Sequence, residues 1–109
     1  MISVKNNRIT MTRGDTCRIK ITLNDDNGDE YTPQEGDVIR FAAKKEYTDS
    51  EPAIFVEVPT DTMVLEIKPN DTKHLPFGNY VYDLQITFAD GTVNTFVYKG
   101  QLKLDEEVD

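Results

Sequence analysis

The 109-residue sequence is poor in several residue types, and each shortage excludes a class of protein. It contains one cysteine, Cys17, so an internal disulfide framework is excluded. It contains one histidine, His74, and no tryptophan. No apolar run approaches the length of a membrane span, and Met1–Lys5 lacks the apolar stretch of a secretory signal peptide. We therefore expect a protein that is made in the cytosol and has no membrane partner.

Positive charge is also scarce. The chain has 12 Lys and Arg residues against 20 Asp and Glu residues, which gives a net charge of −8. Because contacts to phosphate need a surplus of cations, this balance argues against binding to nucleic acid or to anionic lipid. The length suits one domain over residues 1–109, with a core at about 8–104 and an acidic tail at 105–109.

Apolar residues recur with a period of two, which is typical of half-buried β-strands. In the run from Cys17 to Leu23, apolar residues alternate with polar ones, and Arg18 and Lys20 give the outer face a positive charge. A further short strand is expected at Arg8 to Met11. The longest apolar stripe runs from Tyr80 to Phe88. Further alternating runs lie at 39–44, 54–58, 63–67, 93–97 and 102–104.

Short segments with turn chemistry separate these runs, and Asp90-Gly91 is the strongest of them. Short loops between seven or eight strands favour an antiparallel sandwich. The predicted fold is therefore all-β, an immunoglobulin-like antiparallel β-sandwich with at most one short helical turn near 70–75. In that fold a tyrosine at the entry to the sixth strand bonds back to the corner before it, and we assign this role to Tyr80. Tyr82 then replaces a bridging cysteine as a buried aromatic plug. The predicted core also includes Phe41, Leu65 and Ile86.

Three motifs invite a functional interpretation that the sequence does not favour. Arg13-Gly14-Asp15 resembles an adhesion motif, but it suits a turn between the first two strands. The acidic segment 25–30 lacks the ligand spacing of an EF-hand, so a weak cation site there stays an open alternative to a plain hairpin turn. A Cys17–His74 dyad would lack a third orienting group. We expect no enzyme activity, no catalytic residue, no cofactor and no bound metal.

The last two long strands predict an exposed aromatic patch. If Asp90-Gly91 forms a two-residue loop, Ile86 pairs with Thr95 and Leu84 pairs with Val97, so that Val93, Thr95 and Val97 face the core. Phe96 and Tyr98 then lie on the opposite face beside Val81, with Ala42 as a possible neighbour. Aromatic residues are enriched in the cores of protein interfaces. Val81, Phe96 and Tyr98 are therefore the candidate interface, with scattered surface apolar residues as the alternative.

The order of the motifs resembles a family of phage and prophage structural proteins of Gram-positive bacteria, in particular the N-terminal domain of siphophage upper baseplate proteins. The segments that carry the resemblance span about Arg8 to Leu104. They are 13–23, 26–28, 36–41, 78–84, 90–92 and 100–104. The resemblance implies an immunoglobulin-like domain that attaches tail or fibre components to the virion and has no catalytic residues. The baseplate proteins continue into long stalks that this sequence does not include, which favours a small adaptor or decoration subunit.

The expected function is therefore that of a non-enzymatic virion or prophage structural protein in a tail, baseplate or decoration complex. Its expected partners are other virion proteins, in a homo-oligomer or a hetero-complex, and its expected location is the virion. The alternative is a glycan-binding β-sandwich, since such domains often present aromatic side chains to sugars.

Overall fold

Nine strands and one short helix build the chain in a computed structural model that describes residues 8–106. Met1–Lys5 and the last three residues of the predicted tail lie outside that range. The strands are β1 (Arg8–Thr12), β2 (Cys17–Lys20), β3 (Leu23–Asn24), β4 (Glu30–Tyr31), β5 (Val38–Lys44), β6 (Ile54–Val58), β7 (Val64–Ile67), β8 (Gly78–Thr87) and β9 (Val93–Asp105), and the helix α1 is Pro69–Thr72.

The fold is all-β, as predicted. A five-stranded sheet has the order β1-β9-β8-β5-β6, and two-stranded ladders join β2 to β7 and β3 to β4. The structure has one strand more than the upper predicted count of eight, because β4 was not predicted. The run from Cys17 to Leu23 is divided between β2 and β3, but the two last predicted strands are one continuous strand, β9, so these two differences cancel. The sheet is also not purely antiparallel, because β1 pairs with β9 in parallel.

Alternate residues of the strands fill one core. Phe41, Leu65 and Ile86 are fully buried, and Tyr80 and Tyr82 are 2% exposed, so the five predicted core positions are confirmed. The Tyr82 ring lies 5.1 Å from the Phe41 ring, between the centroids, in a tilted arrangement. Burial raises the pKa of Tyr82 to about 12, because the phenolate would lose its hydration there. Tyr82 is thus a packed aromatic plug.

The corner that leads into β8 has the predicted hydrogen bond. The Tyr80 hydroxyl donates to the carbonyl oxygen of Pro76 at 2.5 Å. The helical turn before it begins at Pro69, one residue earlier than the predicted range, and ends at Thr72. Asp71 stabilises its start, since the Asp71 carboxylate accepts a hydrogen bond from the Lys68 amide at 2.8 Å.

The β8–β9 hairpin corrects the predicted register. The Phe88 amide donates to the Thr92 carbonyl at 2.8 Å, so the loop has three residues rather than two, and Gly91 adopts a φ of +90°. Gln85 consequently pairs with Thr95, not Ile86 as predicted. The predicted pairing of Leu84 with Val97 is restored because one extra residue of β9 forms a bulge between these pairs.

The bulge changes which side chains of β9 face the core. Phe96 is the extra residue, and it is buried at 7% exposure together with Val97 at 4%. The prediction that Phe96 lies on the outer face was therefore wrong. Val93, predicted to face inward, is 55% exposed. The predicted tail is also shorter than expected, since β9 extends to Asp105, whose carbonyl accepts a hydrogen bond from the Arg13 amide at 2.9 Å.

Candidate functional site

The outer face of the five-stranded sheet carries the largest group of exposed aromatic side chains in the described part of the chain. Tyr47 is 46% exposed, and Phe55 and Tyr98 are each 58% exposed. Phe55 lies opposite Ala42 on the neighbouring strand, and Ala42 lies opposite Asp83 on the next strand. We call the surface formed by Ala42, Tyr47, Phe55, Val81, Tyr98 and Lys99 the tyrosine face.

Two tyrosines from distant parts of the chain meet on this face. Tyr47 follows β5, and its hydroxyl lies 2.6 Å from the hydroxyl of Tyr98 on β9. The two rings are edge to face, with centroids 6.0 Å apart, which is a favourable geometry for aromatic pairs. The hydrogen bond with Tyr98 raises the pKa of Tyr47, because it favours the neutral phenol. The pair therefore presents two phenols that are joined by a hydrogen bond.

Lys99 holds the tyrosine pair in place. Its ammonium nitrogen lies 4.2 Å from the centroid of the Tyr47 ring and 5.3 Å from that of Tyr98, within cation–π range of both. Its backbone has a φ of +55°, where β9 shifts register against β8, and its amide donates to the Asp83 carboxylate at 3.0 Å. This second irregularity of β9 turns Tyr98 and Lys99 toward the Tyr47 loop.

A shallow groove of about 240 Å³ lies beside the tyrosines and is lined by Ala42, Tyr47, Val81 and Asp83, among others. Val81 is half-buried in this groove, on the face where the sequence placed it. Two of the three predicted interface residues, Val81 and Tyr98, thus lie on the outer face, and Phe96 does not.

Sequence reasoning missed Tyr47 and Phe55. Tyr47 lies in a turn, where the Glu46 amide bonds to the Asp49 carboxylate at 3.0 Å, so strand periodicity gives it no face. Phe55 was recognisable, because it alternates with the buried residues Ile54 and Val58 of β6 and must point outward.

A second groove, of about 740 Å³, lies between β1 and β2 and is also bordered by the β3–β4 hairpin, through Asn24, Gly28 and Glu30. Its lining includes Arg8 and Thr10 from β1, Cys17 and Ile19 from β2, and the buried Leu65 of β7. Burial raises the pKa of the Cys17 thiol. His74 is exposed beyond α1 and does not line this groove, so the structure does not place it with Cys17 in that groove.

The Arg13-Gly14-Asp15 segment forms the predicted turn. The Asp15 amide donates to the Thr12 carbonyl at 3.1 Å, and Gly14 has a φ of +84°. The Arg13 side chain is engaged internally, since its guanidinium donates to the Leu75 carbonyl at 3.0 Å and lies 5.1 Å from the Phe77 ring centroid. These contacts give the motif a structural role.

The acidic segment 25–30 forms the β3–β4 hairpin turn. The Asp25 carboxylate accepts hydrogen bonds from the amides of Asn27 at 2.9 Å and Asp29 at 3.0 Å. Within residues 8–106, no three histidine, cysteine or acidic side chains are grouped in a way that could hold a metal ion. The same residues contain no helix that is long and apolar enough to cross a membrane.

Comparison of the sequence with protein-family models and with curated proteins finds no match.

Proposed function

We propose that this protein is a non-enzymatic structural protein of a phage or prophage particle, in which it binds other virion proteins through the tyrosine face. The tyrosine face is the observation that carries the proposal. The predicted location in the virion and the immunoglobulin-like assignment of the fold belong to the same proposal. Support for the fold assignment comes from the pairing of β2 with β7 and of β8 with both β5 and β9, which is the pairing that such a sandwich needs.

The chemistry of the face suits a protein partner. Tyrosine offers a large rigid contact area with a polar tip and loses little side-chain entropy on binding, so it is frequent at the centres of interfaces. Tyr47 and Tyr98 are already fixed by their mutual hydrogen bond and by Lys99. This preorganisation lowers the entropy that association must overcome. The half-buried Val81 and Ala42 supply an apolar floor that a partner would cover.

The glycan-binding alternative is less well supported by the same geometry. A sugar binds an aromatic residue by stacking on an open ring face. The Lys99 ammonium nitrogen covers one face of Tyr47 at 4.2 Å from the centroid, and the edge-to-face contact with Tyr98 orients the rings toward each other. Binding of the chain to any sugar on a glycan array, abolished by Tyr98→Ser, would favour the alternative over a protein interface.

The proposal is tested by co-expressing the chain with the products of its neighbouring genes and measuring assembly by sedimentation velocity. The double variant Tyr47→Ser/Tyr98→Ser should weaken association at least about tenfold, which corresponds to about 1.4 kcal/mol. The matched control Tyr47→Phe/Tyr98→Phe keeps both rings and should retain most of the affinity. Equal association of the serine double variant and the wild type would contradict the proposal.

The identity of the neighbouring genes tests the biological setting separately. Genes for tail, portal or lysis proteins are expected beside this one. A metabolic operon at that position would contradict the virion assignment, even if the tyrosine face still bound a protein.

A further inference from the structure

The strand β2 leaves part of its core face uncovered in the described structure. Its inward side chains Cys17 and Ile19 are half-buried. The residues paired with them on β7, Ile67 and Leu65, are 0% exposed. The β7 side of this ladder is therefore sealed, whereas the β2 side opens into the groove of about 740 Å³. Covering half-exposed apolar side chains removes apolar surface from water, which favours the binding of a partner at this groove.

The backbone of β2 points hydrogen-bonding groups into the same groove. The Ile21 amide donates to the Met63 carbonyl at 2.8 Å, on the side of β7. Because successive amides along a strand point in opposite directions, the N–H and C=O groups of Arg18 and Lys20 point away from β7. Among the described residues, β2 has no strand partner on that side.

The strand β1 borders the groove with its own unpaired edge. The Arg13 amide bonds to Asp105 of β9, so by the same alternation the amides of Thr12 and Thr10 point away from β9. Within residues 8–106, β9 is the one strand to which β1 is paired. Unpaired edges of this kind are templates for the addition of a further strand.

We propose that the groove between β1 and β2 accepts an extended segment of a partner polypeptide, which adds to the edge of β2 and alternates apolar with acidic side chains. The groove is separate from the tyrosine face, so a negative test of binding at one surface leaves the proposal for the other surface unchanged.

The side chains of β2 determine this alternation. Apolar residues of the added strand would face inward and cover Cys17 and Ile19. Its other residues would lie on the outer face beside Arg18 and Lys20. Opposite charges across neighbouring strands are favourable, and like charges are unfavourable. The structure shows the same solution on the other side of β2, where Arg18 bonds to Glu66 of β7 at 2.7 Å.

This charge pattern also argues against a second copy of β2 as the occupant. Pairing two β2 edges with each other would bring Arg18 and Lys20 of both copies together. Acidic residues in an added strand instead complete a row in which cations on β2 lie between carboxylates on both sides.

Cys17 provides a direct readout, because it lines the groove and is the chain's single cysteine. The probe is a synthetic eight-residue peptide that alternates isoleucine with glutamate, and the matched control peptide replaces each glutamate with lysine. The rate at which iodoacetamide alkylates Cys17 in the full chain is measured with each peptide. If occupied chains are protected, the glutamate peptide at about ten times its Kd should slow alkylation about tenfold. The lysine peptide at the same concentration should leave the rate unchanged.

Two variants at one position separate backbone pairing from charge. Lys20→Pro removes an amide that points into the groove and leaves the bonds to β7 in place, a position where edge strands tolerate proline. Lys20→Gln removes the charge and keeps the amide. Both variants lose the hydrogen bond from the Lys20 ammonium to the Thr62 carbonyl. We expect Lys20→Pro to abolish protection by the glutamate peptide and Lys20→Gln to weaken it a few-fold.

Three results would overturn the proposal. Equal protection of Cys17 by the two peptides would show that the groove does not select acidic side chains. Full protection of Cys17 in a folded Lys20→Pro chain would show that the peptide does not add as a strand to β2. If the glutamate peptide protects Cys17 only after Val4→Asp, the groove is the site of the chain's own N-terminal residues and not of a partner. The comparison of the two peptides on the wild-type chain stands even if Lys20→Pro fails to fold.

Discussion

The Asp37 carboxylate joins the loop before β5 to the β8–β9 hairpin, and its removal should strongly destabilise the fold. The side chain is 8% exposed and accepts three hydrogen bonds. One oxygen accepts from the Tyr31 hydroxyl at 2.6 Å and from the Gln34 amide at 2.8 Å, and the other accepts from the Ala89 amide at 3.2 Å. Asp37→Ala deletes both acceptor oxygens and so all three hydrogen bonds at once.

The expected cost follows from these three bonds. A hydrogen bond to a charged group contributes about 1.5–3 kcal/mol when its partner is buried. Gln34 and Ala89 lie at the surface, where water can replace the lost acceptor, so we take about 1 kcal/mol for each bond and about 3 kcal/mol for Asp37→Ala. The amide of Asp37→Asn can keep the two bonds to one oxygen but turns its NH2 group toward Ala89, so about 1–2 kcal/mol is expected.

Urea unfolding followed by circular dichroism measures both costs. The matched control is Glu35→Ala, which removes the same charge from the same loop at an exposed position and should change stability by less than about 0.5 kcal/mol. A loss of about 3 kcal/mol should lower the melting temperature by roughly 12–24 °C. If Asp37→Ala and Glu35→Ala unfold at the same urea concentration, the network does not hold the hairpin and this reasoning is refuted.

Three further predictions concern the corner, one glycine and alkaline pH. Tyr80→Phe deletes the bond to the Pro76 carbonyl and should cost about 1–1.5 kcal/mol in urea unfolding, whereas the exposed Tyr98→Phe should cost almost nothing. Gly36→Ala should lower the free energy of unfolding more than Gly28→Ala does. Both glycines have positive φ, but a Cβ at position 36 would lie 2.8 Å from the Ala89 Cβ, whereas a Cβ at position 28 would meet nothing within 4 Å. An equal loss of stability in the two variants would contradict the close approach of residue 36 to Ala89. Burial and the Asp37 carboxylate raise the pKa of Tyr31 to about 12, and burial alone raises that of Tyr82 to about 12. Because these pKa values in the folded chain lie above the ordinary value of 10, the two neutral phenols contribute stability that is complete below pH 10 and is lost between pH 10 and 12. The free energy of unfolding should therefore fall across that window, and it should fall less steeply in Tyr31→Phe.

The sequence was sufficient to predict the fold class and most of the core, because strand periodicity is a local signal. Alternation identified Phe41, Leu65 and Ile86 as inward residues without any knowledge of the partner strands. The Tyr80 corner was equally local, since its hydrogen bond reaches only four residues back.

The features that the sequence did not predict depend on contacts between segments that are distant along the chain. Asp90-Gly91 suits a two-residue loop, but it also suits a three-residue loop with Gly91 at positive φ, and the latter occurs. The bulge at Phe96 then restores the pairing of Leu84 with Val97, and no local sequence pattern predicts this bulge. The parallel pairing of β1 with β9 likewise depends on tertiary structure.

The candidate site shows the same division. Tyr98 was predicted because it lies on a strand near a recognisable turn. Tyr47 was missed because its position depends on a loop that folds over β9, where its hydroxyl meets that of Tyr98 at 2.6 Å.

Hydroxyl-radical footprinting of the assembled complex tests the central claim, that the tyrosine face binds the protein's partner. The oxidation rates of Tyr47, Phe55 and Tyr98 are compared between the free chain and the complex with its co-expressed neighbours. Phe77 serves as an internal reference, since it is 48% exposed and packs against Arg13 at the β1–β2 turn. We predict that the three aromatic residues of the tyrosine face are protected several-fold while Phe77 keeps its rate. Unchanged oxidation of all three in a complex that has formed would contradict the account.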